Sequence, residues 1–139
     1  MARVLAQTLK MRILRRVDSS RRNVFLRKDF RDLGGYSGAG RALRLLTETG
    51  ALLKLGRGLY VRARPSPFDG RPAPTIGIKR LVEEAMRRLN IPTAPSSAEV
   101  RYNSGATTQV PTGRVVGVRK RVRRRLGYGS VIVVLERVR

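Results

Sequence analysis

The stretch Gly35–Arg62, GYSGAGRALRLLTETGALLKLGRGLYVR, constrains the fold of this chain more than any other. Ala39, Ala42, Leu43 and Leu46 recur at three- and four-residue intervals, which gives a helix with one apolar face to bury. Ser37 stands where its hydroxyl can meet free N–H groups of a first turn, and Gly50 supplies the left-handed residue that stops a helix. Leu53, Leu55, Leu59 and Val61 then flank Gly56-Arg57-Gly58, the pattern of two short strands around a tight turn. Helix followed by hairpin, with arginines on the outside of both, is the outline of a winged helix-turn-helix. In that design the helix enters the major groove of DNA and the hairpin touches the flanking backbone.

The residues upstream complete the same order. Leu5, Leu9, Ile13 and Val17 are spaced by four and predict a first helix over 4–17, with Arg3, Gln7, Lys10, Arg12 and Arg16 on its other face. Asp18-Ser19-Ser20 ends it. Asn23–Leu26 is short and β-prone, and predicts a strand that pairs with the hairpin. Lys28–Leu33 predicts a very short second helix that buries Phe30 and Leu33. Its start is poorly capped, because Leu26 and Arg27 occupy the positions where Ser, Thr or Asp would help. Gly34-Gly35 is the turn into the main helix, and residues 1–63 make up the module.

Pro65–Pro74, PSPFDGRPAP, carries four prolines and one glycine, which argues against regular structure. Residues 64–74 are therefore read as a linker, with Phe68 available to pin it to a neighbour. Ile78, Leu81, Val82, Ala85, Met86 and Leu89 define the most regular helix of the chain, ended by Asn90 and Pro92. Pro95-Ser96-Ser97 can cap a brief helix over 98–103. Strands are predicted over 114–118, 119–126 and 130–137, the middle one poorly alternating because Val122 is the only apolar residue among Arg119–Arg125. Residues 75–139 then form a small helix-plus-antiparallel-sheet unit, and the fold class is α+β.

Charge decides the kind of partner. Thirty-one Lys and Arg against nine Asp and Glu give a formal net charge of +22. Self-repulsion makes that costly for a fold, and a polyanionic partner is the simplest reason to keep it. Nucleic acid leads. No window has the uncharged apolar length of a spanning helix and no secretory signal opens the chain, so a cytoplasmic protein without a membrane partner is expected. Cys, His and Trp are all absent, which excludes Cys-based zinc sites, disulfides and Cys or His nucleophile–base pairs. There is no GxxxxGK[ST] loop, and the acids do not form a converging set: Asp29 and Asp32 sit three apart on a helix that must also pack Phe30 and Leu33. The chain reads as a non-enzyme with no cofactor and no metal.

The exposed early positions of the main helix are Tyr36, Ser37, Gly40, Arg41 and Arg44. Base edges are read from the N-terminal part of a recognition helix, where an arginine can grip guanine with two hydrogen bonds. Arg41 is the first candidate and Arg44 the second, the alternative being an ordinary solvated face. Gly38 and Gly40 leave two side-chain-free spots where phosphate could approach the backbone. Arg57 at the hairpin tip, with Lys54 beside it, suits phosphate or minor-groove contact, although the glycines alone would make a good turn. Arg21, Arg22, Arg27 and Lys28 can clamp backbone at the start of the second helix without reading sequence. Tyr60 is assigned to the core. The run Arg119, Lys120, Arg121, Arg123, Arg124, Arg125 has three readings: a second nucleic-acid surface, a basic cradle for an acidic protein, or an edge strand whose charge blocks aggregation.

With these residues laid out, the chain resembles the AbiEi-type antitoxins of type IV toxin–antitoxin systems and their small stand-alone winged-helix relatives. The resemblance is carried by Val24-Phe25, Lys28-Asp29-Phe30, Asp32-Leu33-Gly34, Ala42-Leu43, Leu46, Gly50 and the hairpin phrase Leu55-Gly56-Arg57-Gly58-Leu59-Tyr60. Thr108-Gln109-Val110-Pro111 matches a phrase these proteins carry before their terminal strands. The resemblance implies a winged helix that binds and represses its own operon's promoter, and a nucleotidyltransferase-like toxin as cognate partner. The expected function is thus sequence-specific binding of double-stranded operator DNA as a transcriptional autorepressor. A homodimer or paired monomers would recognise half-sites about 34 Å apart. Two alternatives belong to other classes. One is a structural RNA-binding protein of a ribonucleoprotein particle, for which the scattered Tyr36, Tyr60, Tyr102 and Tyr128 offer no clear stacking platform. The other is a basic interaction protein that neutralises an acidic toxin.

Overall fold

Helix α1, Ala2–Ser19, opens a chain that the computed structural model describes from residue 2 to residue 139, with side chains from Leu9 onward. The side chains of Arg3, Leu5 and Gln7, assigned above to the first helix, lie outside the described residues. Among the described residues, four α-helices and two four-stranded sheets divide into two compact units, Met1–Thr75 and Ile76–Arg139. The architecture is α+β in both.

In the first unit, Leu9, Ile13 and Val17 of α1 are buried against α2, Arg31–Glu48. That helix is broken at Gly34-Gly35, where Gly35 takes φ 75° and ψ 172°. The break separates a short first turn from the helix proper, Tyr36 onward, so Gly35 and not Ser37 precedes the first helical residue. Ser37 therefore lies inside the helix and caps nothing. A Cβ on Gly34 would fall 2.6 Å from Leu9 Cδ2, and the missing side chain at this position lets α1 seat closely on the break.

Ala39, Ala42, Leu43 and Leu46 turn inward as their spacing predicts, onto Phe25, Phe30 and Leu52. Each fully buried leucine here contributes about 1.5–3 kcal/mol, whereas an exposed ion pair contributes about 0–1 kcal/mol. Packing thus dominates, and the bidentate pair of Arg16 with Asp32 (2.7 and 2.8 Å) mainly orients α1 on α2. Arg16 also donates to Asp29 O at 2.8 Å. The 3₁₀ turn Arg27–Phe30 is capped from within, since Asp29 Oδ2 accepts from Leu26 N at 2.8 Å. Its start is better satisfied than the residues at its first position suggest.

Strand β1, Val24–Leu26, pairs antiparallel with β3, Leu59–Pro65, which also pairs antiparallel with β2, Leu52–Gly56. The order is β1-β3-β2. The proline-rich segment departs from expectation. β3 runs on to Pro65, and β4, Pro72–Pro74, folds back on it with Ala63 opposite Pro74 and Pro65 opposite Pro72. Proline lacks a donor, so it is tolerated at strand ends and edges, which is where all three of these prolines stand. The segment is a hairpin of the first unit instead of an unstructured linker.

In the second unit α3, Ile78–Arg88, buries Leu81, Val82, Ala85 and Met86, and Asn90 at φ 59° turns the chain out of it. The short helix α4, Ser97–Asn103, has a complete capping box: Glu99 N donates to Ser96 Oγ and Ser96 N to Glu99 Oε1, both at 3.2 Å. The sheet order is β5-β6-β8-β7, with β5 Thr93–Ala94, β6 Val115–Val118, β7 Leu126–Tyr128 and β8 Val131–Arg137. β5 pairs antiparallel with β6 and β7 antiparallel with β8, but β6 and β8 run parallel, so the sheet is mixed and not wholly antiparallel. The two valine-rich strands take the centre, and on β8 Val133 is buried while Ile132 and Val134 are exposed. The strand predicted over 119–126 shrinks to its last residue. Residues 119–125 are irregular, because a run with Val122 as its single apolar side chain has no face to bury.

Among the described residues no helix is long and apolar enough to cross a membrane.

Candidate nucleic-acid interface

The periodicity that buries one face of α2 leaves Ser37, Gly40, Arg41, Arg44 and Thr47 on another, at steps of three residues but for the adjacent pair Gly40-Arg41. These residues line a groove of about 420 Å³, closed on the far side by Arg27, Lys54 and Tyr60. Lys54 and Tyr60 face each other across β2 and β3. Four cations and no carboxylate line the groove.

Arg27 is committed to the protein itself. Its Nε and Nη2 donate to Tyr36 O at 3.0 and 2.8 Å, and its guanidinium lies 3.6 Å from the centre of the Tyr36 ring. A Cβ on Gly40 would stand 2.3 Å from Arg27 Nη2. The notch at Gly40, expected to admit a phosphate, is thus filled by Arg27. Gly38 is turned toward Leu9, whose Cδ2 would meet a Cβ there at 3.4 Å. Arg27 is a brace for Tyr36 before it is a clamp for DNA, and Tyr36 itself stays 54% exposed outside the groove.

Arg41, Arg44 and Lys54 are the exposed cations left, and among the described residues their side chains have no ion-pair or hydrogen-bond partner. Three such cations along one trough suit a polyanion whose charges are spaced along a strand. Arg57 is exposed on the β2–β3 turn, and Arg21, Arg22 and Lys28 are exposed on the segments around β1, all outside the groove. The Arg62 guanidinium shapes the loop that carries Arg21 and Arg22, donating to Ser20 O and, at 2.7 Å, to Arg22 O. Thr47 and Tyr60 line the groove without having been assigned to it. The signal for Thr47 was its place three residues beyond Arg44; for Tyr60 it was the strand register opposite Lys54.

Two carboxylates of this unit, Asp32 and Asp29, are engaged structurally. The Arg16 guanidinium, through its hydrogen bonds and its charge, holds Asp32 below the usual carboxylate range. Asp29 serves the 3₁₀ turn. No group of three or more metal-ligating side chains occurs among the described residues.

The basic run of the second unit is a crossover. Val118 pairs beside Arg137, and Leu126 pairs beside Val133 on the opposite side of β8, so residues 119–125 must pass from one side of β8 to the other. Val122 is half-buried and divides the run into two exposed triplets, Arg119-Lys120-Arg121 and Arg123-Arg124-Arg125. Glu136 on the adjoining strand is taken by Ser97, accepting from its N at 2.7 Å and its Oγ at 2.9 Å. A second groove, of about 620 Å³, lies between α4 and the following segment, lined in part by Tyr102, Gln109, Val110 and Pro111.

No protein-family model, curated protein or solved structure matches the chain. The functional reading rests on the geometry of these surfaces and on the sequence phrases.

Proposed function

We propose that the first unit is a winged helix-turn-helix and that the chain is a sequence-specific double-stranded DNA-binding protein, a transcriptional autorepressor of the AbiEi antitoxin kind. The observation that carries this reading is the groove in which three unpartnered cations from α2 and β2 face outward with no acid among them. The strand order β1-β3-β2, with the glycine break leading into the exposed helix, supports the same design.

In this reading the helix from Tyr36 onward enters the major groove. Arg41 and Arg44 reach guanine edges, each able to form paired hydrogen bonds with O6 and N7. Lys54 meets the phosphates bordering the groove, and Arg57 on the β2–β3 turn meets the backbone beyond. Arg21, Arg22 and Lys28 add sequence-independent attraction. A homodimer on a two-fold operator and a cognate toxin partner follow from the resemblance.

The test is competition at about 150 mM salt, close to physiological ionic strength. Labelled duplex from the chain's own upstream region competes with random duplex and with folded RNA. Preference for the upstream duplex of about a thousandfold is expected of a specific repressor. Equal binding to all three, or preference for RNA, overturns the reading.

A further inference from the structure

The turn between β3 and β4 carries the most exposed large apolar side chain among the described residues. Phe68 is 95% exposed, while Phe25 and Phe30 are buried at 2% and 0%. The pinning contact expected of Phe68 is not made. The turn that holds it is nevertheless tied by four hydrogen bonds. Ser66 N donates to Arg71 O at 2.8 Å, Gly70 N to Ser66 O at 2.9 Å, Phe68 N to Ser66 Oγ at 3.1 Å and Arg71 N to Asp69 Oδ1 at 3.0 Å. Gly70 takes φ 73°, and Pro67 stiffens the step before the ring. A ring presented this way loses little further freedom when it binds.

Its surroundings select the partner. Arg64 and Arg71 stand at the base of the turn, both exposed, beside the Pro65–Pro72 pair. A flat apolar ring at the tip of a turn with two cations at its base and the Asp69 carboxylate beside it, on a chain of net charge +22, fits a partner that is anionic outside and planar and apolar within. Nucleobases between phosphates have that chemistry, and apolar wedges flanked by arginine are a known way to enter a base stack. A second copy of the chain would bring like charge. The ring is also separate from the surface described above: the Arg57 turn and the Phe68 turn lie at opposite ends of β3, whose seven residues span about 20 Å.

We propose that Phe68 is a base-stacking wedge: its ring packs against a nucleobase while Arg64 and Arg71 hold the neighbouring phosphates. The inference rests on the nucleic-acid reading and adds to it a contact that distorts or unstacks bases without reading their edges.

The chain has no tryptophan, so Phe68→Trp installs a single indole, excited apart from the four tyrosines, at a position with room for it. The full-length variant is titrated with random DNA duplex, single-stranded DNA, heparin and anionic lipid vesicles. Accessibility of the introduced indole to acrylamide is followed, and binding of unmodified chain to labelled DNA is measured in parallel by anisotropy. The expected result is indole quenching and severalfold protection by either DNA, with heparin leaving the indole accessible. Phe68→Ala should weaken DNA binding about five- to 150-fold, the range for removing one aromatic–base stack. DNA binding with an indole that stays accessible overturns the wedge alone. Equal protection by heparin overturns it as well, because no base is then needed, and protection by vesicles only moves Phe68 to a lipid surface. If the unmodified chain binds no DNA, the nucleic-acid reading fails and the wedge falls with it.

Discussion

Salt dependence measures how many of the cations described above meet phosphate. Arg44 and Lys54 line the groove beside Arg41; Arg57, Arg21, Arg22 and Lys28 are exposed outside it. If only three of the five cations assigned to phosphate (Lys54, Arg57, Arg21, Arg22 and Lys28) meet it, the plot of log affinity against log salt has a slope of about −2.7; if all five do, about −4.5. Between 50 and 200 mM salt these slopes correspond to losses of about 40-fold and about 500-fold. Fluorescence anisotropy of a labelled duplex over that range gives the slope directly. Lys54→Ala or Arg57→Ala should reduce it by about 0.9 and weaken all duplexes alike. Arg41→Ala should cost about 1–3 kcal/mol on the preferred sequence and leave the slope unchanged, because a base contact releases few counterions. A slope shallower than about −2 would refute the electrostatic argument. Equal loss on all duplexes from Arg41→Ala and Arg57→Ala would move Arg41 from the base edges to the backbone.

Two further perturbations address stability. Asp32 is held below its ordinary range by Arg16, so the unfolded chain takes up this proton more readily than the folded one. The stabilisation is present above the unfolded value, near pH 4, and is lost as pH falls through the lower folded value; Asp32→Asn should flatten this part of the Tm–pH curve, and an unaltered curve would discount the pair. Gly117→Ala would set a Cβ 2.2 Å from Ala94 O, a backbone atom that cannot step aside alone. A loss of about 1–3 kcal/mol is expected from such overpacking, read by calorimetry as a lower Tm for the second unit, whereas an unchanged Tm would mean β5 separates from β6 freely.

Much of the architecture was legible because it follows from local period and punctuation. The apolar faces of α2 and α3 stand where three- and four-residue spacing puts them, and Ser96 caps α4 through the Glu99 three residues later. What was illegible depended on neighbours distant in sequence. Nothing local to Val115–Val118 says that Val131–Arg137 will lie beside it in parallel, since that choice is made by two apolar strands excluding a cationic run from the sheet centre. The prolines of residues 65–74 were read for the donors they lack, whereas their edge positions in β3 and β4 ask for none. At the groove, helical spacing put Ser37, Arg41 and Arg44 on one face. That Arg27 would fold into the space at Gly40 could not be read, because a missing side chain looks the same in sequence whether its space is open or filled.

That filled notch couples two positions thirteen residues apart. With Arg27 present, a methyl group at position 40 gains helix propensity of about 0.5–1 kcal/mol but displaces a guanidinium from Tyr36. With a small residue at 27 nothing stands in the way, and the same change becomes a plain gain. The effect of a substitution at 40 is therefore inherited from residue 27. An evolving lineage could fill the notch safely only after vacating it, so the order in which the two changes arise would decide which sequences are reachable.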